Sequence, residues 1–207
     1  MSNPDLNFRP IISGTSILNA RVNEPGTLGY IATDAAGGLW IVSAYHVLCN
    51  SALLHYTVDE PIYQPAAIAP EYKIAITSAT RANPQLDCAA AQLLPGLTGL
   101  NYQLGIGPTS PPTQPVAGMR VIKSGAASGV TEGIILSVND PDVLIQTDPT
   151  YPADYILTQP GDSGSLWLDQ QSHSPVSLHC GSPSARHAAA KSVPTVLDTL
   201  NLLPLPA

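Results

Sequence analysis

Residues 159–165 read Gln159-Pro160-Gly161-Asp162-Ser163-Gly164-Ser165. Glycines flank the central Asp-Ser pair, so the backbone can turn tightly and come close to a bound molecule. Such a turn aims successive N–H groups at one point, where they can hold the oxyanion formed when a serine attacks a carbonyl. Gly, Asp and Ser are also common turn formers, so this stretch alone leaves an ordinary surface turn open. Its surroundings are strand-like. Residues 27–33, 39–44, 73–77 and 88–93 precede the linker-like middle of the chain. Residues 120–123, 133–138, 143–146, 155–158, 166–168 and 176–180 follow it. Each run is short, and several are rich in β-branched and aromatic residues. Gly37-Gly38, Asn139-Asp140-Pro141 and residues 169–174 supply turn chemistry between them. Many short strands with recurrent turns imply an all-β barrel or sandwich.

Farther out, residues 94–116 are the densest Pro/Gly region. They read as a connection between two β-halves, or as one long surface loop. Similar strand numbers on each side favour the connection, with units at 1–100 and 116–207 and a linker at 101–115. In the tail, apolar residues at 193, 196, 197, 200 and 203 recur at helical steps. A closing amphipathic helix is expected there. The chain has 207 residues, 44% of them hydrophobic and 11% charged, which argues against disorder. A net charge of -7 argues against a nucleic-acid partner, which needs clustered Lys and Arg. No apolar run is long enough for a membrane helix. The start of the chain has no basic-then-apolar pattern, so a cytoplasmic location without a signal peptide is expected. Cys49, Cys88 and Cys180 are odd in number and unpaired in spacing, so they read as free thiols rather than disulfides or a zinc site.

A serine nucleophile needs a base, usually a histidine. His46, His55, His173, His179 and His187 are available. His46 closes the apolar run of residues 40–48. An acid is wanted to orient it, and Asp87 stands before the small apolar run Cys88-Ala89-Ala90-Ala91. A carboxylate at the mouth of an apolar strand is costly unless it is paired.

The segments SAYHVL, LDCAAAQL and QPGDSGS, in that order, resemble the three signature segments of chymotrypsin-like serine proteases. Lys123-Ser124-Gly125, with Gly129, Thr131 and Gly133, is similar to the segment opening the second barrel in compact bacterial members. The likeness runs from about residue 26 to 203. It implies two antiparallel six-stranded β-barrels with a short C-terminal helix. It also implies a trypsin-like serine endopeptidase that works through an acyl-enzyme and needs no cofactor or metal. Ser163 would be the nucleophile and His46 the base, with Asp87 orienting the imidazole. The N–H groups of Gly161 and Ser163 would form the oxyanion hole, where a side chain at 161 would crowd it. The partner is then a protein or peptide substrate, with no nucleic acid and no membrane. A protease without a signal also invites an activating partner. The competing reading is a catalytically silent peptide-binding module.

The chain departs from the family pattern in two ways. Ile11-Ile12-Ser13-Gly14 faintly resembles a terminus freed by activation, but Arg9-Pro10 would be a poor tryptic site. The unprocessed chain is therefore expected to be competent, and Asp162 needs a partner that the sequence does not name. The missing disulfides are the second departure. For specificity, the resemblance points to Leu157, Thr158 and Gln159, then His179, Cys180 and Gly181. Thr158 and His179 resemble the pair found in glutamyl endopeptidases and in viral chymotrypsin-like cysteine proteases that cut after glutamine. A hydroxyl and an imidazole can both hydrogen-bond a side-chain oxygen, and such a pocket rejects analogues lacking it. Cleavage after Glu or Gln is expected, with small neutral residues as the rival. Gly181 would pair with the substrate backbone. His55, His173 and His187 read as surface residues.

Overall fold

The structure is a computed structural model that describes residues 3–51 and 53–206. The first half contains β1 (Ile11–Ser13), β2 (Ser16–Asn19), β3 (Gly26–Thr27), β4 (Tyr30–Thr33) and β5 (Leu39–Ala44). A single helical turn, α1 (Tyr45–Leu48), leads on to β6 (Pro61–Tyr63), β7 (Lys73–Asn83), β8 (Cys88–Leu93), β9 (Gly99–Gln103) and β10 (Gly107–Pro108). The second half contains β11 (Arg120–Gly125), β12 (Gly129–Asn139), β13 (Asp142–Gln146), β14 (Leu166–Asp169), β15 (Pro175–Ser184) and β16 (His187–Ser192). The helix α2 (Val193–Thr199) and the short β17 (Leu203–Pro204) end it.

Strands β11-β12-β13-β16-β15-β14 close into a six-stranded barrel. The first half is a curled sheet in the order β17-β4-β5-β8-β7-β6-β2-β3, flanked by the small sheet β1-β9-β10. The fold is therefore all-β, with paired barrel-like halves and a short C-terminal helix, as the sequence implies.

Three apolar clusters explain this arrangement. Ile41, Ala44, Ala89 and Ala91 fill the inside of the first half. Val121, Ile135, Ile145 and Trp167 fill the second barrel. Between the halves, Trp40, Val42, Cys88 and Ala90 meet Leu166, Leu178 and the α2 residues Val193, Val196 and Leu197. Successive strand residues point to opposite faces. Residues 40–44 of β5 and 88–91 of β8 are buried on both faces, which is why these stretches show no polar alternation. The solvent-accessible surface is 8952 Å². A single compact chain of this mass exposes about 9,200 Å², and two separate halves would expose about 11,100 Å². The halves are packed on one another.

Several expected elements differ. Residues 155–158 form no strand; Leu157 drops into the barrel interior instead. The terminal helix stops at Thr199, and Leu203 leaves it to pair with Thr33 of β4. Residues 99–103 and 107–108, within or beside the expected linker, are strands.

Candidate active site

Strands β5 and β8 pair antiparallel with Ala44 opposite Cys88. The residue leaving β5 and the residue entering β8 therefore emerge at the same end of the sheet. Tyr45 N–H donates to the Asp87 carbonyl at 3.1 Å, locking that corner. His46 sits one residue on, in α1, whose last carbonyl at Leu48 accepts from buried Asn19 Nδ2 at 2.7 Å. The Asp87 carboxylate takes the His46 backbone N–H at 3.1 Å on Oδ1 and His46 Nδ1 at 2.8 Å on Oδ2. With Nδ1 as the donor, the neutral ring keeps Nε2 free to accept a proton. Asp87 has φ +50, a conformation rare outside glycine, Asn and Asp.

Ser163 comes from the other half. Its carbonyl accepts Thr27 N–H at 2.8 Å, and the Thr27 carbonyl accepts Ser43 Oγ at 2.7 Å. This ties the serine turn to the end of β5, next to His46. Gly164 has φ +86, and a Cβ there would fall 1.9 Å from Ser43 Oγ and 2.5 Å from the Thr27 carbonyl. Only glycine fits that junction. Gly161 has φ +102, and its added Cβ would meet Ala127 Cβ at 3.1 Å. Backbone conformation and Ala127, rather than crowding of the hole itself, select glycine there. Among the described residues, the N–H groups of Gly161 and Ser163 have no protein acceptor. No hydrogen bond joins Ser163 Oγ to His46.

The fully buried Asp162 holds this turn in place. It accepts Lys123 Nζ at 2.8 Å, Ser128 Oγ at 2.6 Å and the N–H groups of Ser128, Ala127 and Gln159. Burial pushes its carboxyl up, but the Lys123 ammonium and Ser128 more than reverse this and hold it below the usual range. Ile11 is far from serving this role. It is buried in β1, and its N–H donates to the Thr98 carbonyl at 2.8 Å.

The expected pocket residues divide into three groups. Thr158 and His179 are both buried, and Thr158 Oγ1 is hydrogen-bonded to Ser182 Oγ. His179 packs edge-on to Trp167, with ring centroids 6.3 Å apart, and its buried Nδ1 has no partner among the described residues. Burial, then the nearby Lys123 charge, pulls its pKa down to about 3, so the ring is neutral. Gly181 faces open space. Gln159 is an exposed turn residue that contributes backbone contacts to Asp162. Leu157 and Cys180 do not join the pocket. Leu157 is core, and the Cys180 side chain lies toward Asp87 rather than with His179 against Trp167. Its Sγ lies 3.4 Å from the Leu178 carbonyl and 4.0 Å from the Asp87 carbonyl.

No protein-family model matches the chain, and no curated protein matches it by sequence. Its fold, however, is found in solved structures. A glutamic acid specific serine protease, described as using a histidine triad in substrate binding, superposes with a TM-score of 0.69 at 17% identity. That match covers 94% of this chain and 100% of the other. Cellulomonas bogoriensis chymotrypsin gives 0.65 at 16% identity over 97% and 100%. The Nocardiopsis protease gives 0.62 at 17% over 93% and 97%.

The chain has the chymotrypsin-like fold.

On this chymotrypsin-like frame, sequence reasoning missed one residue that matters. Lys123 was visible only as part of a Lys-Ser-Gly segment. A lysine with no exposed surface needs an acidic partner, and Asp162 lacked one, so the two orphans identify each other. His179 is the one fully buried histidine of the five; His55 is exposed, and its Nδ1 meets Tyr45 Oη at 2.8 Å. His173 and His187 are half-buried rather than fully at the surface.

The charge environment of His46 leads to a measurable consequence. Burial lowers its pKa, but the Asp87 hydrogen bond and charge, with a further contribution from Glu24, leave it raised above 6.5. A histidine that serves as a base must be neutral to work, so any activity that uses His46 in that role should fall as pH drops through that raised value. Removing the Glu24 charge lowers the His46 pKa. Glu24→Gln should therefore move the acid limb of the kcat/KM profile to lower pH. An unmoved or opposite limb would contradict this electrostatic account.

Proposed function

We propose that this protein is a serine endopeptidase. Ser163 attacks the peptide carbonyl, His46 takes its proton and passes it to the leaving amine, and Asp87 holds the imidazole tautomer. The tetrahedral oxyanion is held by the N–H groups of Gly161 and Ser163. The observation that carries this reading is the Asp87–His46 pair, at 2.8 Å, beside a glycine-bounded serine whose neighbouring N–H groups have no protein acceptor. Lys123 supports activity of the unprocessed chain, because it already satisfies Asp162. Labelling with a fluorophosphonate tests the reading, since the reagent needs an activated serine. The second reading, a silent peptide-binding module, has one observation behind it, the missing hydrogen bond between Ser163 Oγ and His46. Folded wild-type protein that takes no label would favour it.

For specificity, the proposal is cleavage after glutamine or glutamate, through His179 and Thr158. A neutral imidazole suits a neutral amide oxygen, and a carboxylate asks for a compensating proton. Gln should therefore be preferred to Glu at neutral pH, with the gap narrowing as pH falls. Peptides differing only before the cut should show at least about a tenfold advantage for Gln over Ala and Leu. His179→Ala should remove most of that advantage. Equal cleavage after Gln, Glu, Ala and Leu would exclude this pocket assignment.

A further inference from the structure

Gly161 also lines an open groove of about 550 Å³. Pro160, Gly161, Ala126 and Ala127 form one wall, and Ala66 and Ala67 lie in the other. Tyr72 adds a ring, and Asp5 stands at the rim. No residue of β15 takes part. The rim is fixed rather than loose. Buried Gln64 accepts Phe8 N–H at 3.3 Å and Arg9 Nη1 at 2.7 Å on its Oε1, and donates Nε2 to the Leu6 carbonyl at 2.8 Å. Ser16 N–H donates to the Pro4 carbonyl at 3.1 Å. These bonds lay the segment of residues 4–9 along the groove and present Asp5 there.

We infer that this groove binds an apolar side chain of the substrate one or two residues beyond the scissile bond. The inference rests on the peptidase reading above. If the part before the cut pairs with β15 at Gly181 and its carbonyl sits at Gly161, the part after the cut must leave on the opposite side. The groove is lined by Gly161 and by no residue of β15, which fits that exit. Its alanine and proline side chains offer no donor or acceptor, and Pro160 and Ala67 are exposed. Apolar surface kept wet beside a reacting centre marks a site that a ligand covers, and an apolar side chain leaving water is what this lining favours. Asp5 at the rim, and Glu24 next to the lining residue Pro25, disfavour an acidic side chain.

Deacylation by added amines tests this directly, because it is acylation run backwards. In the acyl-enzyme, Ser163 Oγ is esterified to the acyl carbon. The amine nitrogen bonds to that carbon, the C–Oγ bond breaks, and the amine proton passes through His46 to Ser163 Oγ. The amine must therefore occupy the leaving-group side. The acyl-enzyme is formed from an activated peptide ester and offered Gly-Phe, Phe-Gly and Gly-Gly amides. The ratio of coupled products is read by mass spectrometry, so any overall loss of activity cancels. At least one Phe amide should outcompete Gly-Gly amide by about tenfold or more. In Ala67→Asp, with a carboxylate on the groove wall, that advantage should collapse and Gly-Lys amide should overtake Gly-Phe amide. Even partition in the wild type overturns the inference, as does a Phe preference that survives Ala67→Asp. If no acyl-enzyme forms at all, the peptidase reading itself fails and the groove assignment falls with it.

Discussion

Ser163→Ala is expected to abolish fluorophosphonate labelling and to lower kcat on a cleavable peptide by about 10⁶-fold. The magnitude follows from the chemistry assigned to the serine. Without Oγ there is no acyl-enzyme, and what remains is direct attack by water on a carbonyl still polarised by two backbone N–H groups. Those groups alone sustain about 10³–10⁴-fold over the uncatalysed reaction. His46→Ala should cost nearly as much, because Oγ is a poor nucleophile when nothing removes its proton. The two losses should not multiply, since the second removes a partner the first has already idled. A double variant roughly as slow as either single one is the expected signature of residues acting as a unit. Multiplying losses would mean that His46 and Ser163 do separate jobs. Neither change should unfold the protein: His46 is half-exposed, and the turn at 163 is held by the Ser163 backbone carbonyl rather than its hydroxyl. An unchanged melting temperature beside lost labelling would separate chemistry from stability.

Much of this site was legible in sequence because its positions are set by local rules. Strands β5 and β8 have the bounds that the apolar runs suggest, and one antiparallel pairing then brings His46 to Asp87. The turn around Ser163 declares itself through glycines at positions with φ of +102 and +86, where other residues are strained. Other features were hidden for physical reasons. β16 is His187-Ala188-Ala189-Ala190-Lys191-Ser192, and alanine has little strand preference. It is a strand because β13 and β15 hold it on both sides. β9 lies in the Pro/Gly-rich region, and its pairing with β1 joins residues far apart in the chain. Leu157 and Cys180 are implied as pocket residues by the family resemblance, which gives positions along the chain beside Ser163 and beside His179. Position alone does not say which face a side chain takes, and a one-residue step reverses it.

Lys123→Met should produce the largest loss of stability of any single change outside the apolar cores. Both ends of the Lys123–Asp162 pair have side-chain exposures of 0%. Methionine is one heavy atom shorter than lysine but close to it in volume and can pack in its space, so little cavity forms. What remains is a carboxylate buried without its cation. Removing one partner of such a pair costs about 3–5 kcal/mol. For a chain of this size that is a fall in melting temperature of about 10 °C. The direction with pH is fixed by the lowered pKa of Asp162. A depressed carboxylate stabilises the folded state above its ordinary 3.8 and loses that contribution as pH falls through the folded value. In Lys123→Met burial acts on Asp162 without the ammonium to offset it, so the difference from wild type should be full only where the variant's carboxyl is still ionised and should shrink as pH falls through that raised value. Asp162→Asn separates charge from geometry. The amide fills the same space and keeps one accepting oxygen, but an NH₂ in place of Oδ2 cannot accept the bonds that Lys123 Nζ, Ser128 Oγ and the Gln159 N–H now donate. It should loosen the turn at 161–163 and slow labelling of Ser163 even in protein that remains folded. Because residue 162 is joined to Ser163 by a single peptide bond, a slackened side chain there moves the N–H groups proposed to hold the oxyanion. If Lys123→Met melts within a degree or two of wild type and labels at the wild-type rate, the ammonium is not what holds that turn.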